Sequence, residues 1–188
     1  MKWKMKEIVL VVVLSIVCGI VYLGWSTLYL PLSALLGPIT SSLMFGIWII
    51  ASPITALIIQ KPGVALISEI IAASVEVFTG SHFGLSSLLI GIFQGLGAEL
   101  AFALFAYKKF STFTVMLSGA LAGVGSIIYQ MISSGWSYFT PQMFATATVV
   151  TIVSGAVLGG LLGQLVVLAL KKTGSLNGYA VAKNKEVK

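Results

Sequence analysis

The chain has 188 residues, of which 58% are hydrophobic and 9% are charged, and its formal net charge is +6. Asp and Arg are absent, and the mean hydropathy is +1.06. This composition excludes a water-soluble domain of this length and predicts an all-α integral membrane protein.

The first charge-free segment runs from residue 8 to residue 60 and is 53 residues long. One membrane-spanning helix needs about 20 apolar residues, so this segment predicts two spans joined by a turn. The N-terminus, MKWKMKE, is interpreted as the start of the first span rather than of a secretory signal. The apolar run after it is too long for a signal, and no small-residue cleavage site follows.

Charge-free segments, separated by lysines or by Gly, Pro and Ser turns, predict a bundle of six transmembrane helices. These cover approximately residues 7–25, 38–60, 62–79, 84–107, 111–133 and 141–170, and a short basic tail follows at 171–188. The stretch STLYLPLSALLGP between the first two spans predicts a loop or a short interfacial helix. The whole chain, residues 1–188, is interpreted as a single transmembrane domain.

The lysines predict how this bundle is oriented. If the N-terminus is cytoplasmic, every lysine falls on the cytoplasmic side of the predicted spans, as the positive-inside rule requires. They are Lys2, Lys4, Lys6, Lys61, Lys108, Lys109, Lys171, Lys172, Lys183, Lys185 and Lys188. We therefore expect both termini in the cytoplasm, and we attribute the net charge to this bias rather than to nucleic-acid binding.

Glu69, Glu76 and Glu99 fall within predicted spans that contain no Lys or Arg. A carboxylate at mid-membrane costs on the order of 3 kcal/mol, so these groups are expected to be protonated or to meet a cation from outside the chain. Counting from the flanking lysines puts Glu69 and Glu99 at one depth, about 12–13 Å, and Glu76 and Gln94 at another, about 21–22 Å. Two polar layers are thus predicted between the third and fourth spans.

Two features of the predicted polar layers leave alternatives open. Gln94 and Glu99 are five residues apart, about 140° around an ideal helix, although the glycines of GIFQGLGAE permit a kink that could bring both to one cavity. Trp48 lies in the middle of the second span, where both core packing and ligand contact are open to its indole. The polar side chains could also serve only as hydrogen bonds that hold helices together.

The sequence carries no catalytic signature. It contains no HExxH, GxSxG or P-loop motif, no cluster of Cys and His, and no Asp. We therefore expect neither an enzyme nor a metal site nor ATP hydrolysis within this chain. Any energy input would come from an ion gradient or from another subunit.

Three stretches carry a resemblance to a known family: KPGVALISEIIAASVE, GIFQGLGAE and TGSLNG. With six predicted spans, the chain resembles the substrate-binding S components of energy-coupling factor (ECF) transporters, of the thiamine and hydroxymethylpyrimidine type. The resemblance implies a multi-pass protein of the bacterial cell membrane that captures thiamine or its pyrimidine precursor outside the cell. It also implies a transmembrane coupling protein and ATPase subunits as partners, and no cofactor.

The same resemblance implies a set of substrate-binding residues. They are Glu69, Glu76, Gln94, Glu99, Trp48 and Tyr129, of which the last two would stack on the ligand. Thiamine carries a permanent positive charge on its thiazolium ring, and its aminopyrimidine offers an N–H donor beside a ring nitrogen. A cationic ligand of this kind would supply the counter-charge that the glutamates lack within the chain.

Two other functions are compatible with the residues. A proton- or cation-coupled secondary transporter would also use intramembrane glutamates that titrate during the cycle, although the chain is short and shows no convincing inverted repeat. A structural or assembly protein of the membrane would bind no ligand at all. Saturable binding or uptake of a small solute separates this last function from the first two.

Overall fold

The computed structural model describes residues 2–133 and 139–184, and within them it contains helices and turns but no strand. This confirms the predicted all-α class. The α-helices are α1 (Met5–Leu36), α2 (Thr40–Met44), α3 (Ala51–Ile59), α4 (Val64–Phe78), α5 (Ser86–Leu104), α6 (Thr112–Ile132), α7 (Pro141–Ser154), α8 (Leu162–Lys172) and α9 (Ala180–Lys183). Short 3₁₀ segments cover Gly37–Ile39 and Phe45–Ile49, and a π-helical segment covers Gly155–Leu161.

Four helical stretches among the described residues are long and apolar enough to cross a membrane. They are Met5–Ile59, Leu85–Leu104, Thr112–Ile132 and Pro141–Lys172. The first is 55 residues long, far more than the roughly 20 that one span needs, and it folds back on itself.

The helix α1 continues well beyond the predicted end of the first span. Residues 26–36, expected in a loop or a short interfacial helix, prolong α1, and Pro31 is accommodated inside it. The helix ends only where Gly37 adopts a φ of 71°, a left-handed conformation that glycine tolerates without steric cost. The segment is helical because its apolar sequence supplies no comparable terminator before Gly37.

After Gly37 the chain reverses, and the return segment (residues 40–59) runs antiparallel to α1. The indole N–H of Trp25 donates to the carbonyl of Met44 at 3.0 Å, and the backbone N–H of Ala51 donates to the hydroxyl of Tyr22 at 3.0 Å. Earlier residues of α1 thus contact later residues of the return segment. The 55-residue stretch is therefore a helical hairpin.

The return segment is interrupted by the 3₁₀ turn Phe45–Ile49 between α2 and α3. At Gly46 it lies directly against the π-helical region, where a Cβ would overlap the carbonyl oxygen of Ser154. The hydroxyl of Ser154 accepts a hydrogen bond from the N–H of Gly46 at 3.0 Å and donates to the carbonyl of Leu43 at 2.8 Å. The hydroxyl of Ser154 therefore ties backbone groups of the interrupted segment to the end of α7.

Glycines also allow α6 to contact its neighbours through backbone atoms. A Cβ on Gly119 would overlap the carbonyl of Gly155, and a Cβ on Gly125 would overlap the carbonyl of Phe93 in α5. Only residues without a side chain permit such an approach. These contacts hold α5, α6 and the π-helical segment together around the inner face of α6.

One end of the bundle, here called the lysine end, carries the basic residues before α1, between α3 and α4, and after α8. The Nζ of Lys61 forms an ion pair with Glu7 at 2.6 Å, and the Nζ of Lys6 donates to the carbonyl of Gly178 at 2.8 Å. The side chain of Val181 in α9 is fully buried. The predicted basic tail thus folds back on this end as far as residue 184, while Lys185 and Lys188 lie outside the described residues.

Candidate substrate-binding site

A cavity of about 400 Å³ lies inside the bundle, bounded by α1, the return segment, α4, α5, α6 and α7. Its volume is in the lower part of the range of roughly 300–1,000 Å³ that small-molecule sites occupy. Its lining combines aromatic rings with carboxylates, amides and hydroxyls. Five of the six predicted site residues line it: Trp48, Glu69, Glu76, Gln94 and Tyr129.

Glu69 lies on α4 and is only 1% exposed. Its Oε2 accepts hydrogen bonds from the hydroxyl of Tyr22 at 3.2 Å and from the hydroxyl of Ser52 at 2.8 Å. Its Oε1 is buried and has no hydrogen-bond partner among the described residues. One oxygen is therefore held by the protein, and the other remains available at the cavity.

Glu76 lies two helical turns further along α4, about 10 Å from Glu69 along the axis, and is 4% exposed. Its Oε1 accepts hydrogen bonds from Ser26 at 2.6 Å and from Ser81 at 3.0 Å. Ser81 belongs to the turn that follows α4, so Glu76 joins that turn to α1. Both cavity carboxylates thus have one oxygen fixed by hydroxyl donors.

Gln94 of α5 is 5% exposed, and no hydrogen bond to its side-chain amide is found within the described part of the chain. Buried amides normally have partners, so this one is directed at the cavity rather than at a neighbouring helix. Gly91 lies against Ala73 and Gly95 lies against Glu69. This register brings Gln94 closer to the level of Glu69 than to that of Glu76, which corrects the predicted pairing of Gln94 with Glu76.

Aromatic rings cover the cavity at the end opposite the lysine end. Tyr29 and Phe83 line it with ring centroids 5.4 Å apart, and Trp48 lies edge-on to both, at 6.0 Å from Tyr29 and 5.8 Å from Phe83. His82 is exposed and stacks on Tyr29. Near the end of α6, Tyr129 contacts Phe93 with a centroid separation of 5.7 Å.

Glu99 is the predicted site residue that does not line the cavity. Its carboxylate accepts hydrogen bonds from the backbone N–H groups of Gly63 at 2.6 Å and Ala65 at 2.9 Å, and from the hydroxyl of Tyr107 at 2.7 Å. The expectation that Glu99 and Glu69 share one polar layer does not hold. The count from the lysines failed because it does not fix how α4 and α5 are offset along their axes, and in the structure Gly95 rather than Glu99 faces Glu69.

The position of Glu99 matches the chemistry of a helix N-terminus. Gly63 is the residue before α4, and the first N–H groups of a helix have no partner within it and attract negative charge. Tyr107 lies beyond the end of α5, where burial, then the hydrogen bond to Glu99 and its charge, raise its pKa to about 12. The phenol therefore stays a donor to Glu99 at ordinary pH.

Sequence reasoning did not find the polar residues that hold the two carboxylates. They are Tyr22 and Ser26 on α1, Ser52 on α3 and Ser81 after α4. A signal was present for the first two, because Ser15, Tyr22 and Ser26 recur at helical spacing along the buried face of α1. Ser52 and Ser81 have no comparable pattern around them, and only the fold brings them to α4.

The lining of the cavity contains no positive charge. Among its described residues none is Lys, Arg or His, and the ion pair of Glu7 with Lys61 lies at the lysine end. Two carboxylates, two amides and several aromatic rings therefore face a common space in a bundle of apolar helices. In a membrane protein, such an arrangement is suited to a small solute that donates hydrogen bonds or carries positive charge.

Comparisons with known proteins agree with this class. Residues 6–125 match the family described as "ABC-type cobalt transport system, permease component". A solved structure described as "Crystal structure of an S-component of ECF transporter" superposes with a TM-score of 0.94 at 44% identity, covering 97% of this chain and 92% of the other. The chain therefore belongs to this family of transport permease components, and it is an S component of the ECF type, as its sequence resemblance predicted.

A relative with a more specific name is found in Bacillus subtilis (strain 168). It is named "Putative HMP/thiamine permease protein YkoE", where HMP stands for hydroxymethylpyrimidine, and it is 44% identical over 181 residues. The match covers 96% of this chain and 91% of the relative. The present chain is thus a homologue of that permease protein over nearly its whole length.

Proposed function

We propose that this protein is the substrate-binding subunit of an ATP-driven ECF importer and captures thiamine or hydroxymethylpyrimidine from outside the cell. Residues 1–188 would form one domain of six transmembrane helices in the bacterial plasma membrane, with both termini in the cytoplasm. A transmembrane coupling protein and ATPase subunits would provide the energy. The chain itself would not be an enzyme, since its role is binding and delivery.

The observation that carries this proposal is the pair of buried carboxylates without a basic partner. Glu69 and Glu76 line one cavity together with Trp48, and that cavity has no Lys, Arg or His among its described lining residues. The thiazolium ring of thiamine would neutralise this charge and could lie against an aromatic face. A cationic ligand accounts for carboxylates that a purely structural core would not need.

The amide of Gln94, which has no partner in the described part of the chain, supports recognition of the pyrimidine. An aminopyrimidine presents an N–H donor beside a ring nitrogen acceptor, and a carboxamide presents the complementary acceptor and donor. Glu69, with its free Oε1 nearby, could accept a further N–H. Tyr129 would stack on the ring, and Glu99 is left out of the proposed site because its carboxylate is used at the start of α4.

The distribution of lysines and aromatic rings supports capture from outside. Lys61 and Lys6 lie at the lysine end, and the positive-inside rule assigns such an end to the cytoplasm. Tyr29 and Phe83 cover the cavity at the opposite end, at the turn after α4. A ligand that entered past these rings would therefore come from the outer side.

Titration calorimetry on the purified chain, without any ATPase subunit, tests this proposal. We expect saturable binding of thiamine with a Kd of about 1 μM or tighter, which corresponds to about −8 kcal/mol. Quenching of tryptophan fluorescence should accompany it, because Trp48 lines the cavity. Choline, a cation without an aminopyrimidine, serves as the control ligand and should bind far more weakly. Absence of both heat and quenching at micromolar thiamine would refute the vitamin assignment.

A further inference from the structure

We propose that Tyr22 and Ser26, one helical turn apart on α1, are positioning residues that hold the two cavity carboxylates as hydrogen-bond acceptors. The hydroxyl of each residue accepts a hydrogen bond from the return segment and donates one to a glutamate of α4. The inference rests on the proposed function, because it explains how the same cavity would select a ligand that donates protons or carries positive charge.

The first relay runs from Trp48 through Ser26 to Glu76. The indole N–H of Trp48 lies 2.9 Å from the Oγ of Ser26, and that Oγ lies 2.6 Å from Oε1 of Glu76. An indole nitrogen can only donate, so Ser26 must accept from Trp48. The single hydroxyl proton of Ser26 is then donated to Oε1 of Glu76.

The second relay runs from Ala51 through Tyr22 to Glu69. The backbone N–H of Ala51 donates to the hydroxyl oxygen of Tyr22 at 3.0 Å, and this hydroxyl lies 3.2 Å from Oε2 of Glu69. The N–H is available because the 3₁₀ turn Phe45–Ile49 interrupts the helix just before Ala51. The phenol proton is therefore directed at Glu69 in the same way.

Both relays begin with an N–H that can only donate, and in both the hydroxyl donates its own proton to a carboxylate oxygen. Tyr22 and Ser26 are 1% exposed, so water does not compete for their hydroxyls. The remaining oxygens, Oε1 of Glu69 and Oε2 of Glu76, have no hydrogen-bond donor among the described residues. A ligand that meets them must bring donors or positive charge, whereas one that presents only acceptors would be repelled.

Double-mutant cycles on the purified full-length protein test this inference, with thiamine and hydroxymethylpyrimidine as the probes in calorimetry. The first cycle combines Ser26→Ala with Glu76→Gln, and the second combines Tyr22→Phe with Glu69→Gln. We expect each α1 substitution alone to weaken thiamine by about tenfold, as loss of a hydrogen bond to a charged group does. In the variant that already carries the matching Glu→Gln substitution, the same change should reduce thiamine affinity by a factor at least threefold smaller. The reason is that the α1 hydroxyl acts on thiamine by way of the carboxylate, which is absent in that variant.

Crossed pairs and a neighbouring serine provide the controls. The effects of Ser26→Ala and Glu69→Gln on the free energy of thiamine binding should be additive, because these two residues belong to different relays. Ser15→Ala should leave the affinities for thiamine and hydroxymethylpyrimidine unchanged, because Ser15 is a buried residue of α1 that does not line the cavity. Full additivity within both matched cycles would overturn the inference and leave Tyr22 and Ser26 as packing or direct ligand contacts. If the parent protein binds neither probe, the proposed function fails. Parental thiamine binding with unchanged affinity in both α1 variants overturns only the inference.

Discussion

The carboxylate of Glu99 in α5 accepts a hydrogen bond from the backbone N–H of Gly63, the residue before α4, at 2.6 Å. A second oxygen of the same side chain accepts from Ala65 at 2.9 Å. The helix that carries both cavity glutamates is thus anchored at its first turn by an acid from its neighbour. An intramembrane carboxylate without a cation has, in this position, a structural explanation that differs from that of Glu69 and Glu76.

Replacing Glu99 by Gln should lower stability without changing ligand preference. The neutral amide keeps one acceptor oxygen but loses the charge that favours the start of α4, so we expect a loss of about 1–3 kcal/mol. Thermal unfolding in detergent measures this effect. Calorimetry should show thiamine and hydroxymethylpyrimidine weakened by the same factor, if at all. A selective loss of thiamine binding would instead return Glu99 to the binding site.

Replacing Glu76 by Gln should reduce the affinity for thiamine far more than the affinity for neutral hydroxymethylpyrimidine. The substitution keeps size and an acceptor for Ser26, but it removes the charge that would face a thiazolium. Loss of an interaction with a charged group is worth about 1.5–3 kcal/mol, or roughly 10- to 150-fold in affinity. Glu69→Gln should show the same selectivity if the cation lies nearer to Glu69.

Calorimetry with thiamine and with hydroxymethylpyrimidine compares the variants Glu69→Gln and Glu76→Gln. At least one of them should lose thiamine affinity by more than about tenfold while retaining hydroxymethylpyrimidine within about threefold. Gln164→Leu is a suitable control, because Gln164 is a buried polar residue of α8 that lies away from the cavity lining. Parental thiamine binding in both Glu→Gln variants would mean that the glutamates are structural.

Adding a single methyl group at Gly119 should destabilise the bundle. The Cβ of Gly119→Ala would overlap the carbonyl of Gly155, and overpacking of this kind costs about 1–3 kcal/mol. Gly24→Ala is the matched control, because a methyl group at Gly24 of α1 would have no described atom within 4 Å. That change should be neutral or stabilise the protein by roughly 0.5–1 kcal/mol. Thermal unfolding measures the stability of both variants. If Gly119→Ala were as stable as Gly24→Ala, the close backbone contact at Gly119 would be contradicted.

Transport should depend on other subunits although binding does not. The sequence contains no P-loop or other nucleotide-binding motif, so liposomes that hold this chain alone should accumulate no labelled thiamine against its gradient. Accumulation should appear when a coupling protein and ATPase subunits are reconstituted with it and ATP is supplied inside. Concentrative uptake by the isolated chain under a proton gradient would favour a secondary transporter instead.

Composition and charge placement were sufficient to predict an all-helical membrane protein, and three short stretches were sufficient to predict its family. The length of an apolar run and its lack of charged residues are properties of each segment by itself. They can therefore be recognised without knowing which helices are in contact. The absence of a basic residue near Glu69 and Glu76 was equally visible, because the sequence has no Arg and its lysines are confined to the segment ends.

Only the tertiary structure decided what each intramembrane carboxylate does. Counting residues gives depth along one helix, but the register of α4 against α5 depends on Gly91 and Gly95 packing against Ala73 and Glu69. That register directs Gln94 toward the cavity and Glu99 toward the start of α4. Five residues correspond to about 140° of rotation, so both side chains of one straight helix could not face the same space.

The donors to Glu69 and Glu76 were likewise decided by folding. Tyr22 and Ser26 reach α4 because α1 packs closely against it, with Gly19 next to the carbonyl oxygen of Ala72. The 3₁₀ turn before Ala51 leaves a backbone N–H that donates to Tyr22. Hydrogen-bond direction depends on contacts between helices distant in sequence, and no single segment encodes it. The sequence by itself therefore determined the membrane setting and the unpaired charge, whereas the packing of helices determined which oxygens remain free to meet a ligand.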